Sequence, residues 1–234
     1  YYENNFGGTL NILAAMKIAG VKKIVFSSTA AVYSPSEKPA ITEEDSTIPL
    51  SPYGATKLLS EQLISNVSSA EGFSCVSLRY FNVAGSGSDE MGDNSRDNLV
   101  PKVFLAITNG ERPEVFGTDY PTPDGTCIRD YIHVSDLARA HIDALKAVEK
   151  SRIDEIYNVG SGNGFSVTEV MTEIEKAMGK NLNPILGPRR AGDSPKLIAS
   201  IEKISRDLGW KPKHTLRDMI TSSWSAWQSQ GGSR

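Results

Sequence analysis

Apolar positions along the chain recur at two periods, and the alternation between them predicts the element order. Leu10, Ile12, Leu13 and Met16 follow helical spacing and predict a helix over 4–19, closed by Gly20 as a left-handed stop. The run Val21-Lys22-Lys23-Ile24-Val25-Phe26 predicts a buried strand over 21–27, opening at its carboxyl end into Ser27-Ser28-Thr29. Leu58, Leu59, Leu63 and Ile64 make the core face of a helix over 52–70, and 73–81 reads as the next strand. Strand, helix, strand in this order is a right-handed βαβ crossover, which means a parallel sheet covered by helices.

Beyond Asn82 the pattern loosens. Residues 83–97 are rich in Gly, Ser, Asp and Asn without an apolar period, and read as a domain boundary or a mobile binding loop. Helices are predicted over 98–109, 135–149, 167–178, 201–208 and about 216–228, and strands at 115–117, 128–134 and 156–160. Ser135 or Asp136 suits the N-cap of the second of these helices, and Ser166-Val167-Thr168-Glu169 fits a capping box. The glycine-rich Gly160-Ser161-Gly162-Asn163-Gly164 reads as a connecting loop.

Composition removes several function classes. The 234 residues are 39% hydrophobic and 23% charged, ordinary for a globular protein with one large core or two modest ones. A net charge of −3 without a basic stripe argues against nucleic acid, and no apolar run reaches the length of a membrane span. Cys75 and Cys127 read as reduced thiols, which places the chain in the cytoplasm. No His/Cys/Asp cluster has metal-ligand spacing, so no metal site is expected. His141 and His214 carry no signal, His133 reads as a structural hydrogen-bonding group, and Glu43-Glu44-Asp45 reads as a solvated acidic run.

Candidate chemistry rests on Tyr53 and Lys57. Four residues apart in a helix, they share one face about 6 Å apart along the axis. Tyrosine ordinarily titrates near 10, and a fixed ammonium beside it favours the phenolate. Lowering a phenol by about three units takes about 4 kcal/mol, of which Lys57 supplies part. Ligands in open α/β sheets bind beyond the carboxyl ends of strands, where Thr29 stands with a hydroxyl able to relay a proton.

A series of segments in fixed order then makes the chain resemble a known family. They are Tyr2-Glu3-Asn4-Asn5-x-x-Gly8-Thr9, Phe26-Ser27-Ser28-Thr29-Ala30-Ala31-Val32-Tyr33, Ser51-Pro52-Tyr53-Gly54-x-x-Lys57 and Leu78-Arg79-Tyr80-Phe81-Asn82. Asn98-Leu99-Val100-Pro101, Val115-Phe116-Gly117, Arg129-Asp130-Tyr131-Ile132-His133-Val134, Tyr157-Asn158-x-Gly160 and Pro188-Arg189-Arg190-x-Gly192-Asp193 complete the series. The chain is identified as resembling the extended short-chain dehydrogenase/reductase superfamily and, within it, the UDP-glucose 4-epimerases.

The resemblance implies an α/β fold: the C-terminal part of a Rossmann-like doubly wound parallel sheet plus a smaller mixed α/β substrate-binding domain. Residues 1–81, with 130–160 returning, would form a partial NAD-binding domain; 82–129 and 161–234 would bind the UDP-sugar. It implies an NAD-dependent inversion at C4 of a UDP-hexose through a transient 4-keto sugar, in a protein that is commonly a homodimer. Thr29, Tyr53 and Lys57 would be catalytic, and Asn4, Ser27, Ser28, Tyr53, Lys57 and Tyr80 would face NAD. Thr29, Asn82, Asn98, Leu99, Phe116, Arg129, Arg190, Asp193 and Leu197 would bind the substrate. Arg129 and Arg190 match pyrophosphate arginines, suited by their guanidinium fork. Phe116 stands open between a uracil-pocket aromatic and a core strand residue, and Arg189 reads as a solvated charge.

Neighbouring reactions are weighed on single positions. Sugar-nucleotide 4,6-dehydratases carry an Asp-Glu pair after the Thr; Ala30 and Ala31 here transfer no proton, which favours epimerisation. Leu197 stands where UDP-hexose-restricted relatives carry Tyr, and its intermediate bulk leaves UDP-N-acetylhexosamine or UDP-pentose substrates open. The glycine-rich turn that holds the NAD pyrophosphate in relatives does not occur in these residues. The chain is therefore expected to be a piece of a longer protein, to hold NAD weakly if at all, and to leave an inactive UDP-sugar-binding fragment as an alternative reading.

Overall fold

The computed structural model describes residues 1–95, 97–190 and 192–232. A π-helical turn at Tyr2–Gly7 leads into α1 (Gly8–Ala19), which stops at Gly20 with φ +69°, the left-handed conformation that glycine adopts without steric cost. Strand β1 (Lys23–Ser27), helix α2 (Pro52–Glu71) and strand β2 (Ser74–Tyr80) follow. Pro52 sits at the first turn of α2, where its missing N–H costs nothing, and the Ser51 hydroxyl accepts from the Gly54 N–H at 3.1 Å.

β1 and β2 pair in parallel, and β2 pairs in parallel with β6 (Asp154–Val159), giving the order β1-β2-β6. Alternation along the strands builds a core on each face. Ile24, Phe26 and Cys75 pack with Leu13 of α1 and Ile64 of α2, while Val25, Val76 and Leu78 pack with Ala140, Ala144 and Val148 of α4 (Val134–Lys150). The α/β class and the parallel crossover are thus as expected.

A second sheet has the order β3 (Asn82–Ala84), β5 (Ile128–His133) and β7 (Gly164–Ser166), with β9 (Lys196–Leu197) also on β5. β4 (Glu114–Phe116) pairs in parallel with β8 (Ile185–Gly187). Its core joins α3 (Leu99–Thr108), α5 (Val167–Met178) and α7 (Leu216–Ser229) around Phe104, Ile174, Met219 and Trp227. Helix α6 (Glu202–Leu208) packs Ile204 into the first sheet's core. Strand β5 belongs to the second sheet and helix α4, directly after it, to the first, so the chain crosses between sheets at His133–Val134.

Local expectations met four corrections. The N-cap of α4 is His133, whose Nδ1 accepts from the Ser135 N–H at 3.0 Å; Asp136 is instead buried, accepting from Arg139 and from the N–H groups of Lys213 and His214. His214 is not idle: its ring stacks on His133 with centroids 4.1 Å apart. His141, expected to be silent, meets the Ser27 hydroxyl at 2.8 Å. Glu43 does not stand in solvent; it is half-buried and accepts from the Asn158 N–H at 2.8 Å. The capping box of α5 is present as read, with Ser166 and Glu169 bonded reciprocally.

Asp130 sets the geometry around β5. Its buried carboxylate accepts from Ser161 N–H and hydroxyl, Gly162 N–H and Ala199 N–H, so it holds the glycine-rich connection and the segment after β9. Burial outweighs these donors and raises its pKa to about 6. A side chain at Gly160 would collide with Asp130 and Ala199, which explains the glycine there. Cys75 and Cys127 are both free and buried.

Candidate active site

Thr29 and the Lys57 ammonium stand at the carboxyl end of β1. β1 ends at Ser27, and Thr29 begins a 3-10 turn over Ala30–Val32, its hydroxyl accepting from the Ala31 N–H at 3.2 Å. Ala30 and Val32 are buried beneath this turn. Helix α2 packs closely on it, because a methyl group on Gly54 would collide with the Ala31 carbonyl oxygen. That approach carries the neighbouring Tyr53, half-buried, to the strand end.

Lys57 lies one turn along α2 and donates to the Ser27 carbonyl oxygen at 3.0 Å, with its ammonium 4.9 Å from the centre of the Phe26 ring. Burial pushes the Lys57 pKa down. One of its three donors is used by Ser27, and two remain for a ligand. Tyr80, at the end of β2, is half-buried; burial raises its pKa and the neighbouring Tyr53 phenol adds to the rise. Tyr53 also meets the Tyr1 ring at 5.6 Å, while Asn4 is exposed on the turn before α1.

The Ser28 side chain is fully buried, and its hydroxyl donates to Glu61 of α2. Glu61 in turn takes a bidentate pair from Arg79 of β2, Nε at 3.0 Å and Nη2 at 2.7 Å. The hydrophobic pattern did not find this pair, since Arg79 sits inside an otherwise apolar strand. Its one signal is that Glu61 extends the Tyr53–Lys57 face by another turn.

The second cluster forms a cavity of about 240 Å³ in the second sheet. It is lined by Asn82, Asn98, Leu99, Phe116, Arg129 and Arg190, all read from the sequence, and also by Lys102, Glu114, Cys127 and Tyr131, which were not. Arg129 and Tyr131 face the cavity while Asp130 between them points away, which is strand alternation at work. Arg190 stands over the Phe116 ring at 5.0 Å, and Phe116 is half-exposed, which favours the pocket reading over the core one.

Asp193 closes the rim: Arg190 Nε is 2.9 Å from one of its oxygens, and Arg129 Nη2 is 3.5 Å from the other. Leu197 pairs with Arg129 across β9 and β5 and packs on the cluster of Ala30, Tyr33 and Phe81, so it links the cavity side to the Thr29 turn. Arg189 is an exposed charge as read, and it also pairs with the exposed Asp119 and stands 4.3 Å from the Tyr120 ring. A larger open groove between α5 and α7 contains none of the sequence-predicted site residues. Among the described residues, no group of His, Cys, Asp and Glu is arranged to hold a metal ion, and no helix is long and apolar enough to cross a membrane.

Comparisons with known proteins agree with this geometry. The model of the NAD dependent epimerase/dehydratase family matches residues 1–160. A UDP-glucose 4-epimerase of Azospirillum brasilense is 45% identical, over 97% of this chain and 67% of that protein. A crystal structure of a UDP-glucose 4-epimerase superposes with a TM-score of 0.95 at 39% identity, covering 100% of this chain and 73% of that one. The UDP-glucose 4-epimerase of Bifidobacterium longum, solved with NAD+ and UDP, gives a TM-score of 0.88 at 41% identity over 99% of this chain and 70% of that one.

Proposed function

The chain belongs to the NAD dependent epimerase/dehydratase family, and we propose that its residues carry the proton-transfer face and the nucleotide-sugar pocket of a UDP-glucose 4-epimerase. The reaction is the NAD-dependent interconversion of UDP-glucose and UDP-galactose at C4. NAD would supply the reversible hydride chemistry at C4, its nicotinamide end held by Lys57 and the Ser27 strand end. The observation that supports this reading is that Lys57 of α2 bonds to the Ser27 carbonyl oxygen at the carboxyl end of β1, two residues before Thr29, while an arginine-lined cavity opens on the second sheet.

Each side chain has a part. Tyr53 takes the C4 hydroxyl proton and gives it back, and Thr29, held by the Ala31 N–H, keeps its own proton free to pass between substrate and Tyr53. Lys57, which among the described residues gives a hydrogen bond only to Ser27, holds the ribose hydroxyls on the nicotinamide side. The chemistry of the residues fits that end of NAD: a half-buried ammonium stands at the Ser27 strand end, and half-buried Tyr80 ends the neighbouring strand β2. Arg129 and Arg190 hold the diphosphate, Phe116 the uracil ring, and Asp193 the ribose of the uridine. Asn82 and Asn98 supply amides along the same wall.

Ala30 and Ala31 stand where a dehydratase needs an acid and a base, which supports epimerisation as the outcome. The division into a partial cofactor domain (1–81 and 130–160) and a substrate domain (82–129 and 161–234) belongs to the same reading, although Ile204 and Trp210 of the second part pack into the first core and Tyr131 of the first part into the second. A cytoplasmic homodimer also belongs to it, supported by buried free cysteines and by Leu10, Ile12 and Ile18 standing exposed on α1. The test is turnover of UDP-galactose to UDP-glucose by the protein supplied with NAD. No conversion, with both NAD and UDP shown to bind by calorimetry, would leave a binding protein in place of an enzyme.

A further inference from the structure

The Tyr53–Lys57 face of α2 continues one turn further to Glu61, and each of its last two members reaches a successive residue at the end of β1. Lys57 donates to the Ser27 carbonyl oxygen at 3.0 Å, and Glu61 accepts from the Ser28 hydroxyl. Thr29 is the next residue. On the far side of the turn, Tyr33 is also tied down: its hydroxyl accepts from Arg79 Nη1 at 3.1 Å and donates to Asn158 Oδ1 at 2.6 Å. Arg79 is the partner of Glu61, with Nη2 at 2.7 Å.

One ion pair therefore grips both ends of the turn that presents Thr29. All four side chains are almost wholly buried: Ser28 is 0% exposed, Glu61 and Arg79 4%, Tyr33 5%. Taking two charges out of water is costly, and an apolar pair of the same volume stabilises a core at least as well. The pair thus serves stability poorly, yet it makes directional bonds that apolar side chains do not. It joins the helix that carries Tyr53 to the loop that carries Thr29, through β2 between them.

We infer that Glu61 and Arg79 are positioning residues, which set Thr29 against Tyr53 and Lys57 by holding Ser28 at one end of the turn and Tyr33 at the other. Neither touches substrate in this arrangement; they act through the residues they hold. The inference rests on the catalytic reading of Thr29 and Tyr53 given above. Two gentle substitutions address it without leaving a buried charge unpaired. S28A removes only the link between the turn and Glu61, and Y33F removes only the hydroxyl shared by Arg79 and Asn158.

The test compares S28A, Y33F, E61Q and Y53F in the intact protein supplied with saturating NAD, at a temperature where melting curves show each variant folded. The readouts are kcat and KM for UDP-galactose, UDP affinity by calorimetry, and NAD retained per chain. The expected result for S28A and E61Q is a tenfold or greater fall in kcat, with KM, UDP affinity and NAD content within about twofold of the parent, and a smaller fall in the same sense for Y33F. A parental kcat in folded S28A and E61Q would overturn the inference. So would a loss of kcat that follows loss of NAD, or that falls in step with UDP affinity, as general loosening of the fold predicts. Y53F separates the two layers: if it turns over like the parent, the catalytic reading fails and this inference fails with it; if it is dead while S28A and E61Q are normal, only the inference fails.

Discussion

The Lys57 ammonium donates a 3.0 Å hydrogen bond to the carbonyl oxygen of Ser27, tying the first half of α2 to the last residue of β1. This contact fixes the direction in which the helix presents Tyr53, and so gives the first prediction its footing. Tyr53→Phe removes the proton acceptor and leaves the ring in place. Turnover is expected to fall by about 10²–10⁴, the usual worth of a positioned acid or base, with UDP affinity unchanged. Steady-state rates alongside calorimetric titration of UDP check this, and comparable turnover in the variant would exclude Tyr53 as the base.

Arg129 faces the cavity with one guanidinium nitrogen near Asp193 and another on the Ser194 carbonyl oxygen at 2.8 Å. Arg129→Ala removes a charged donor to the diphosphate. A hydrogen bond to a charged group is worth about 1.5–3 kcal/mol, so UDP affinity is expected to fall by about 10- to 100-fold. A titration showing unchanged affinity would place the diphosphate elsewhere.

Leu197 packs with Ala30 and Tyr33 of the Thr29 turn while its backbone pairs with Arg129, so it joins that turn to the strand bearing Arg129. Leu197→Tyr is expected to reduce kcat/KM for a UDP-N-acetylhexosamine at least tenfold more than for UDP-galactose. Leu197→Ala is expected to move the ratio the other way. Parallel assays on the two substrates decide it, and an unchanged ratio in both variants removes Leu197 from substrate selection.

Asp136 gives the fold a specific acid sensitivity. Burial pushes its pKa up, but the Arg139 guanidinium and the N–H groups of His214 and Lys213 outweigh burial and bring it down to about 2. A carboxyl group held below its unfolded value stabilises the fold above about pH 4, and that contribution is lost as pH falls from about 4 through 2. The difference of about two units corresponds to about 2 kcal/mol. Asp136→Asn is expected to lower stability by about this amount at pH 7 and to flatten the loss between pH 4 and 2, as read by urea unfolding across that range.

Much of this was legible before any coordinates, and the division follows physical lines. Helices α2, α4, α5 and α7 are long enough for apolar periodicity to declare them, and local chemistry alone marks the end of α1 at Gly20 and the start of α5 at the Ser166–Glu169 box. Strands β3, β7 and β9 have two or three residues each and exist because β5 offers them a partner, which no window of sequence reveals. The same holds within the site. Tyr53, Lys57 and the cavity arginines follow from motif and spacing. The inward turn of Ser28 depends on Glu61 and Arg79, which are 33 and 51 positions away in the chain, and the burial of Glu43 depends on the Asn158 N–H that needs an acceptor.

The carboxylate of Asp130 works as a rivet. It fastens the strand bearing Arg129 and Tyr131 to the turn leaving β6 and to the stretch that follows Leu197. Heating should therefore not melt the two sheets one after the other; calorimetry should show a single transition in which both are lost together. Losing the rivet should blunt uridine nucleotide binding and proton transfer at once, although Asp130 contacts neither.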